Sequence, residues 1–168
     1  MACTTLESIL KTCDSNIGGI TSIYINDMDN ITGPIVEANW IISTFTAVVD
    51  PFLPFEFRRN TGMYTEEAAI DLVNGSSFYT QTITLMFHRR EAAKSKAIKI
   101  LGEGQRDLAL IVGDANGKYW YFPNAQLTAV AEGSGTAKAD GSKYSITFVA
   151  ENENLAFEVA AAEIPNII

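Results

Sequence analysis

The only histidine of the chain, His88, is the one side chain whose ordinary pKa suits a general base at neutral pH. It ends an alternating segment and is followed by Arg89 and Arg90. Those cations would hold the imidazole neutral, and no carboxylate is set to orient it. No Ser or Cys stands ready beside it for activation as a nucleophile. The reading is therefore a surface histidine at a strand–helix junction. Paired carboxylates are the next candidates, because glycoside hydrolysis uses two. Glu66 with Glu67, Glu151 with Glu153, and Asp27 with Asp29 are the close pairs. They fall in turns or at predicted strand ends, without an aromatic cluster to hold a sugar. Asp27-Met28-Asp29-Asn30 lacks the glycine and distal glutamate of an EF-hand loop and reads as a turn. Gly133-Ser134-Gly135-Thr136 has no following lysine or helix, so it is a strand-linking turn, not a phosphate loop. Cys3 and Cys13 with a single histidine cannot make the usual structural zinc sets. They read as free thiols, one or both packed under a first helix, with a disulfide that would tie only a small N-terminal loop as the alternative. No enzyme, metal site or cofactor is expected.

Charge narrows the partners. Twenty carboxylates against twelve Lys and Arg give a net charge of −8 in 168 residues. Binding through phosphate neutralisation needs clustered cations, which this balance does not supply. The one basic group is Arg89, Arg90, Lys94, Lys96 and Lys99. Arg90, Lys94, Lys96 and Lys99 read either as a face for an acidic partner, including another copy, or as a solvated helix face. Arg58 and Arg59 pose a similar question with Glu66 and Glu67. Opposite charges flank a turn, which suits a docking arm or a salt-bridged hairpin. No run of about 20 apolar residues suggests a membrane span, and Met1–Thr5 has no export pattern. A protein made and used in a cytoplasm, or released from it by lysis, is expected.

The elements that would carry these residues are mostly strands. Thr4 and Glu7 have capping-box spacing, and Leu6, Ile9 and Leu10 form a stripe, so a first helix is expected before Gly18-Gly19. Ser22–Asn26 alternates, with Ile23 and Ile25 opposite Tyr24. Trp40–Val49 is a strand that Asp50–Pro54 breaks. Phe55 to about Val73 reads as a long hairpin or flexible arm, with Thr65–Glu67 open to a short helix. Deleting Arg59–Glu66 is expected to block self-association and spare the fold. Phe78–Phe87 puts Tyr79, Ile83, Leu85 and Phe87 on one face and three threonines on the other. A helix at Arg90–Leu101 packs through Ala93, Ala97, Ile100 and Leu101. Leu108–Val112 is apolar throughout, hence buried on both faces. Lys118–Phe122 returns across Asn116-Gly117, and Leu127–Ala131, Tyr144–Ala150 and Leu155–Val159 are further strands. An apolar tail ends at Ile167-Ile168. Eight to ten strands and two helices predict one domain. It is a mainly β, antiparallel sandwich or barrel with one flanking helix and a long extended loop.

The succession of Phe78–Phe87, the helix Arg90–Leu101, Arg106-Asp107-Leu108-Ala109-Leu110-Ile111-Val112, Gly117-Lys118-Tyr119-Trp120-Tyr121-Phe122 and Gly141-Ser142-Lys143-Tyr144-Ser145-Ile146-Thr147-Phe148 resembles the major tail proteins of tailed bacteriophages, the tail tube subunits. The resemblance covers the second half of the chain well and the first half loosely. It implies a β-sandwich or barrel with a flanking helix and a long loop. It also implies a virion protein whose copies join into rings, typically hexamers, that stack into a tube passing DNA without specific binding. Other tail proteins are implied partners, with assembly in the host cytoplasm. The acidic balance fits a conduit that repels DNA. A capsid decoration or head–tail connector ring is the alternative within virions. A small carbohydrate- or protein-binding module is the alternative outside them, weakened because Trp120 and Tyr121 alternate to opposite faces.

Overall fold

The computed structural model describes residues 7–37 and 39–168. Among them the chain forms ten strands, and the sheet they build is mixed and curled into a half-barrel with a helix against it. The strands are β1 (Ile20–Asp27), β2 (Ile31–Val36), β3 (Ile41–Val48), β4 (Leu53–Pro54), β5 (Gly62–Asp71), β6 (Ser76–His88), β7 (Leu108–Asp114), β8 (Tyr119–Gly133), β9 (Lys143–Asn152) and β10 (Phe157–Val159). Two α-helices are present, α1 (Ala92–Gly102) and α2 (Ile164–Ile167). No helix among the described residues is long and apolar enough to cross a membrane.

β8 organises the sheet. Its first half pairs with β7 on one side and β10 on the other, and its second half pairs with β9. The two apolar runs Lys118–Phe122 and Leu127–Ala131, expected as separate strands, are thus one strand. Pro123-Asn124 between them bends the strand without ending it. Asn124 takes a left-handed conformation (φ 54°), and the β7–β8 register slips opposite it. One path then runs β2-β3-β10-β8-β7-β1-β4, the other β8-β9-β6-β5. All pairings are antiparallel except β10 with β3.

Alternation sorts the side chains into two cores. Leu108, Leu110 and Val112 of β7 join Ile23, Ile25, Leu85, Phe122, Ile146 and Phe148 inside the half-barrel. Ala109 and Ile111 point the other way, to Ile42, Phe45, Phe52, Tyr121 and Val159. Leu108–Val112 is therefore buried on both faces, as its unbroken apolar run predicts. Burial pushes the Tyr121 phenol up to about 12, so this ring stays neutral in its core.

Several expectations are corrected. Residues 7–19 form no helix, and Ile9 and Leu10 are fully or largely exposed. Ile9 and Leu10 have no core to lie on here, and a short helix does not hold alone in water. Instead Ile17 N–H donates to Asn116 Oδ1 at 2.8 Å, and Asn116 donates to Asn16, pinning the chain to the β7–β8 turn. The capping residue Thr4, the stripe residue Leu6 and Cys3 lie outside the described residues. Cys13 is exposed and not packed beneath a helix. A strand unforeseen in the sequence, β2, contains Gly33-Pro34, which reads as punctuation; proline is tolerated because β2 is an edge strand. The C-terminal apolar residues are largely accommodated within the chain, since Ile164 and Ile167 of α2 are buried in the second core.

Candidate assembly surfaces

Phe55–Val73 is neither a free arm nor a hairpin folded on itself, and Thr65–Glu67 is strand. Phe55 N–H donates to Ile23 O at 3.0 Å, and Phe55 and Phe57 pack on the first core. β5 then pairs with β6 over ten residues, from Gly62 opposite Leu85 to Asp71 opposite Ser76. The hairpin is therefore β5–β6. β9 accompanies β6 only as far as Tyr79 opposite Asn152, so residues 69–78 project beyond the neighbouring strand. Asp71 builds the tip. Its carboxylate accepts from Val73 N–H, Asn74 N–H and the Asn74 amide at 2.8, 3.2 and 2.6 Å. The Asn74 bonds, with that from Val73, hold this carboxyl below the usual range. Gly75 closes the turn at φ 66°. The tip presents Ile70, Leu72, Val73 and Phe78 to solvent, with Leu72 and Val73 90% and 94% exposed.

The structure does not bring the four arm residues together. Arg58 and Arg59 are exposed at the loop before β5, where Thr61 Oγ1 donates to Arg58 O at 2.5 Å. Neither forms an ion pair with Glu66 or Glu67 among the described residues. Glu66 and Glu67 are strand neighbours and face opposite ways. Glu67 is exposed, whereas Glu66 is half-buried and accepts from Gln81 Nε2 at 2.9 Å and from Ala156 N–H at 2.8 Å. Gln81, fully buried, in turn accepts from Asn152, whose amide also donates to Pro123 O. Glu66 is thus a strut between β5, β6 and the segment leading to β10. Deleting Arg59–Glu66 would remove that strut and half of β5, so it would damage the fold it was expected to spare.

The basic helix is also rearranged. Ile98 and Leu101 are its buried residues, while Ala93, Ala97 and Ile100 face solvent. Polar anchors set this rotation. Lys94 Nζ donates to the carbonyls of His88 and Arg89 at 2.9 and 3.2 Å. Ser95 shares a 2.6 Å hydrogen bond with the Tyr144 hydroxyl, which also meets the Glu91 backbone. Lys94, Ser95, Ile98 and Leu101 follow helical spacing, so fixing the first two turns the last two inward. The expected four-residue basic face is consequently split. Arg90 pairs with Glu132 at 2.8 Å, and Lys94 is used as an anchor. Lys96 and Lys99 are exposed and make no ion pair among the described residues.

At the foot of that exposed face lies a cleft of about 430 Å³ between the end of α1, the end of β1 and the segment around β4. Leu53, Phe55, Ile100 and Leu101 form much of its apolar wall. Arg106, paired with Asp27 at 3.2 Å, lies on it too.

The candidate catalytic residues are dispersed. His88 lines a shallow hollow with Glu56, Phe57, Arg58, Arg89 and Lys94, where no Ser or Cys is present. Its Nδ1 is buried without a hydrogen-bond partner. Glu91, three residues on, is engaged by Arg89 and Lys94 at 3.2 and 3.5 Å. Asp27 caps the short turn at Met28–Asn30, accepting from Asp29 N–H. Among the described residues, no group of three or more His, Cys, Asp or Glu is placed to hold a metal ion. The sequence reading ends the arm at about Val73, before a turn at Asn74–Ser77, and so does not mark Leu72 and Val73 as the tip of a β5–β6 hairpin. The signal available was Asp71-Leu72-Val73-Asn74-Gly75, in which two apolar residues sit inside turn-forming ones.

The chain matches none of the known protein-family models, and no curated protein matches it in sequence.

Proposed function

We propose that this chain is a structural subunit of a bacteriophage tail tube, a β-sandwich or barrel type protein whose copies join into rings that stack around a passage for DNA. The observation that carries the self-assembly part is the projecting hairpin tip. Four large apolar residues stand in solvent on a turn braced by Asp71, where a lone monomer gains nothing from exposing them. Edge strands add to it. β2 pairs only with β3 and β5 only with β6, which leaves one ladder side of each open to a neighbour. The tube part rests on the order of strands and helix from Phe78 to Phe148, which resembles the tail tube subunits. The net charge of −8 suits a wall past which DNA slides.

Negative-stain electron microscopy of the concentrated protein tests the reading. Hollow polymers of one diameter, built from stacked rings, are expected. Single rings that never stack would favour a connector. A small species that binds only empty capsids would favour a decoration protein. A strict monomer at every concentration and salt would end the assembly reading.

A further inference from the structure

Two surfaces of the chain are unmatched within it, and they complement each other. The hairpin, residues 61–87, holds Glu66, Glu67 and Asp71 and no Lys or Arg. Its tip is apolar and exposed. α1 holds Lys94, Lys96 and Lys99 and no acid. Its outward face carries Ala93, Lys96, Ala97 and Ile100, which recur at helical spacing and lead down to the cleft beside Leu53, whose lining is mostly apolar and also holds Asp27, Asp50 and Arg106. This stripe has the form of a packing face, yet the polar anchors at Lys94 and Ser95 turn it away from the core. From these two unmatched surfaces we infer that the hairpin tip of one copy docks on the α1 face and cleft of the next, with Leu72 and Val73 against Ile100 and Glu67 near Lys96 and Lys99.

The tip is not seated on the helix of its own chain. Leu72, Val73 and Ile100 are all exposed, and the β5–β6 pairing over ten residues holds the tip out beyond β9. The contact is therefore heterologous, one surface meeting a different one, and repeats into a ring or an open filament. It deepens the assembly reading and rests on it. Burial of the tip supplies the apolar contribution, and the opposite charges fix orientation.

The test uses the whole chain in sedimentation velocity over a concentration series, with far-UV circular dichroism as the fold control. The tip pair Leu72→Ser/Val73→Ser and the single change Ile100→Ser alter exposed side chains only. Each should weaken self-association by roughly 30-fold, as loss of an interface anchor does. Glu67→Lys and the pair Lys96→Glu/Lys99→Glu should each weaken it, and the three together should restore it. Wild-type assembly that the tip variants leave unchanged would overturn this contact while the assembly reading stands. Sensitivity to the tip without sensitivity to Ile100→Ser or rescue by charge exchange would overturn α1 as the receiving face. A monomeric wild type would instead overturn the assembly reading itself.

Discussion

Two buried polar side chains decide more than any exposed one. Gln81 connects Glu66 on β5 with Asn152 on β9, and Glu163 fastens the end of the chain to β3. Gln81→Ala leaves Glu66 and Asn152 each short of a partner in a largely buried place. A loss of about 1–3 kcal/mol is expected in urea unfolding. Glu163 accepts from Thr44 Oγ1, Phe45 N–H and Asn166 at 2.9, 3.0 and 3.0 Å. Burial alone would raise its carboxyl, but the bonds from Asn166, Phe45 and Thr44 outweigh burial and hold it below the usual range. A depressed carboxyl stabilises the fold above its unfolded value, and that contribution fades as pH falls through the lower folded one. Glu163→Gln should therefore flatten the acid side of a stability-against-pH curve, lowering stability at neutral pH more than below about pH 3. Neither role was legible in sequence, because both depend on partners far away in the chain.

At the level of elements, helix α1 is the most instructive. Its position was legible from Ala, Lys and Ile spacing and from the glycines that end it, but its rotation was not. Ala93, Ala97 and Ile100 make as good a stripe as Ile98 and Leu101. What chooses between them is a lysine amine on two carbonyls and a serine on a tyrosine. Ile98→Ala and Leu101→Ala should each cost about 2–4 kcal/mol, whereas Ile100→Ala should cost less than about 0.5 kcal/mol in the dissociated protein. Equal costs at Ile98 and Ile100 would refute the rotation. The predicted N-terminal helix failed for the related reason that amphipathic spacing needs a surface to lie on. Strands fared better. Residues such as Ile23 and Ile25, or Ile83 and Leu85, can only alternate one way into a core.

For the whole molecule, the mainly β class and the hairpin at Asn116-Gly117 were readable from turns and alternation. The seam in β8 was not, since Pro123-Asn124 looks like an ending and acts as a bend. Nor was the parallel pairing of β10 with β3, which joins residues more than a hundred positions apart. The acidic balance acts at this scale too. Copies carrying −8 repel one another, so lowering pH toward the isoelectric value near 4.6 should speed association in light scattering, until the Asp71 turn and Glu163 begin to loosen. Association that slows steadily over that range would argue against a charge-limited encounter.

The placement of β10 sets an order of events during synthesis. It lies between β3 and β8, with α2 in the core beneath, so the β2–β3 hairpin joins the rest of the sheet by way of residues 157–167. A ribosome that has not yet made Phe157 holds a nascent chain in which Ile42 and Phe45 still lack their cover. Chains cut before Phe157 should accordingly be cleaved in β2–β3 by a dilute protease and resist it in β6 and β9. Completion of the subunit, and with it fitness to join others, thus waits on the emergence of this short segment.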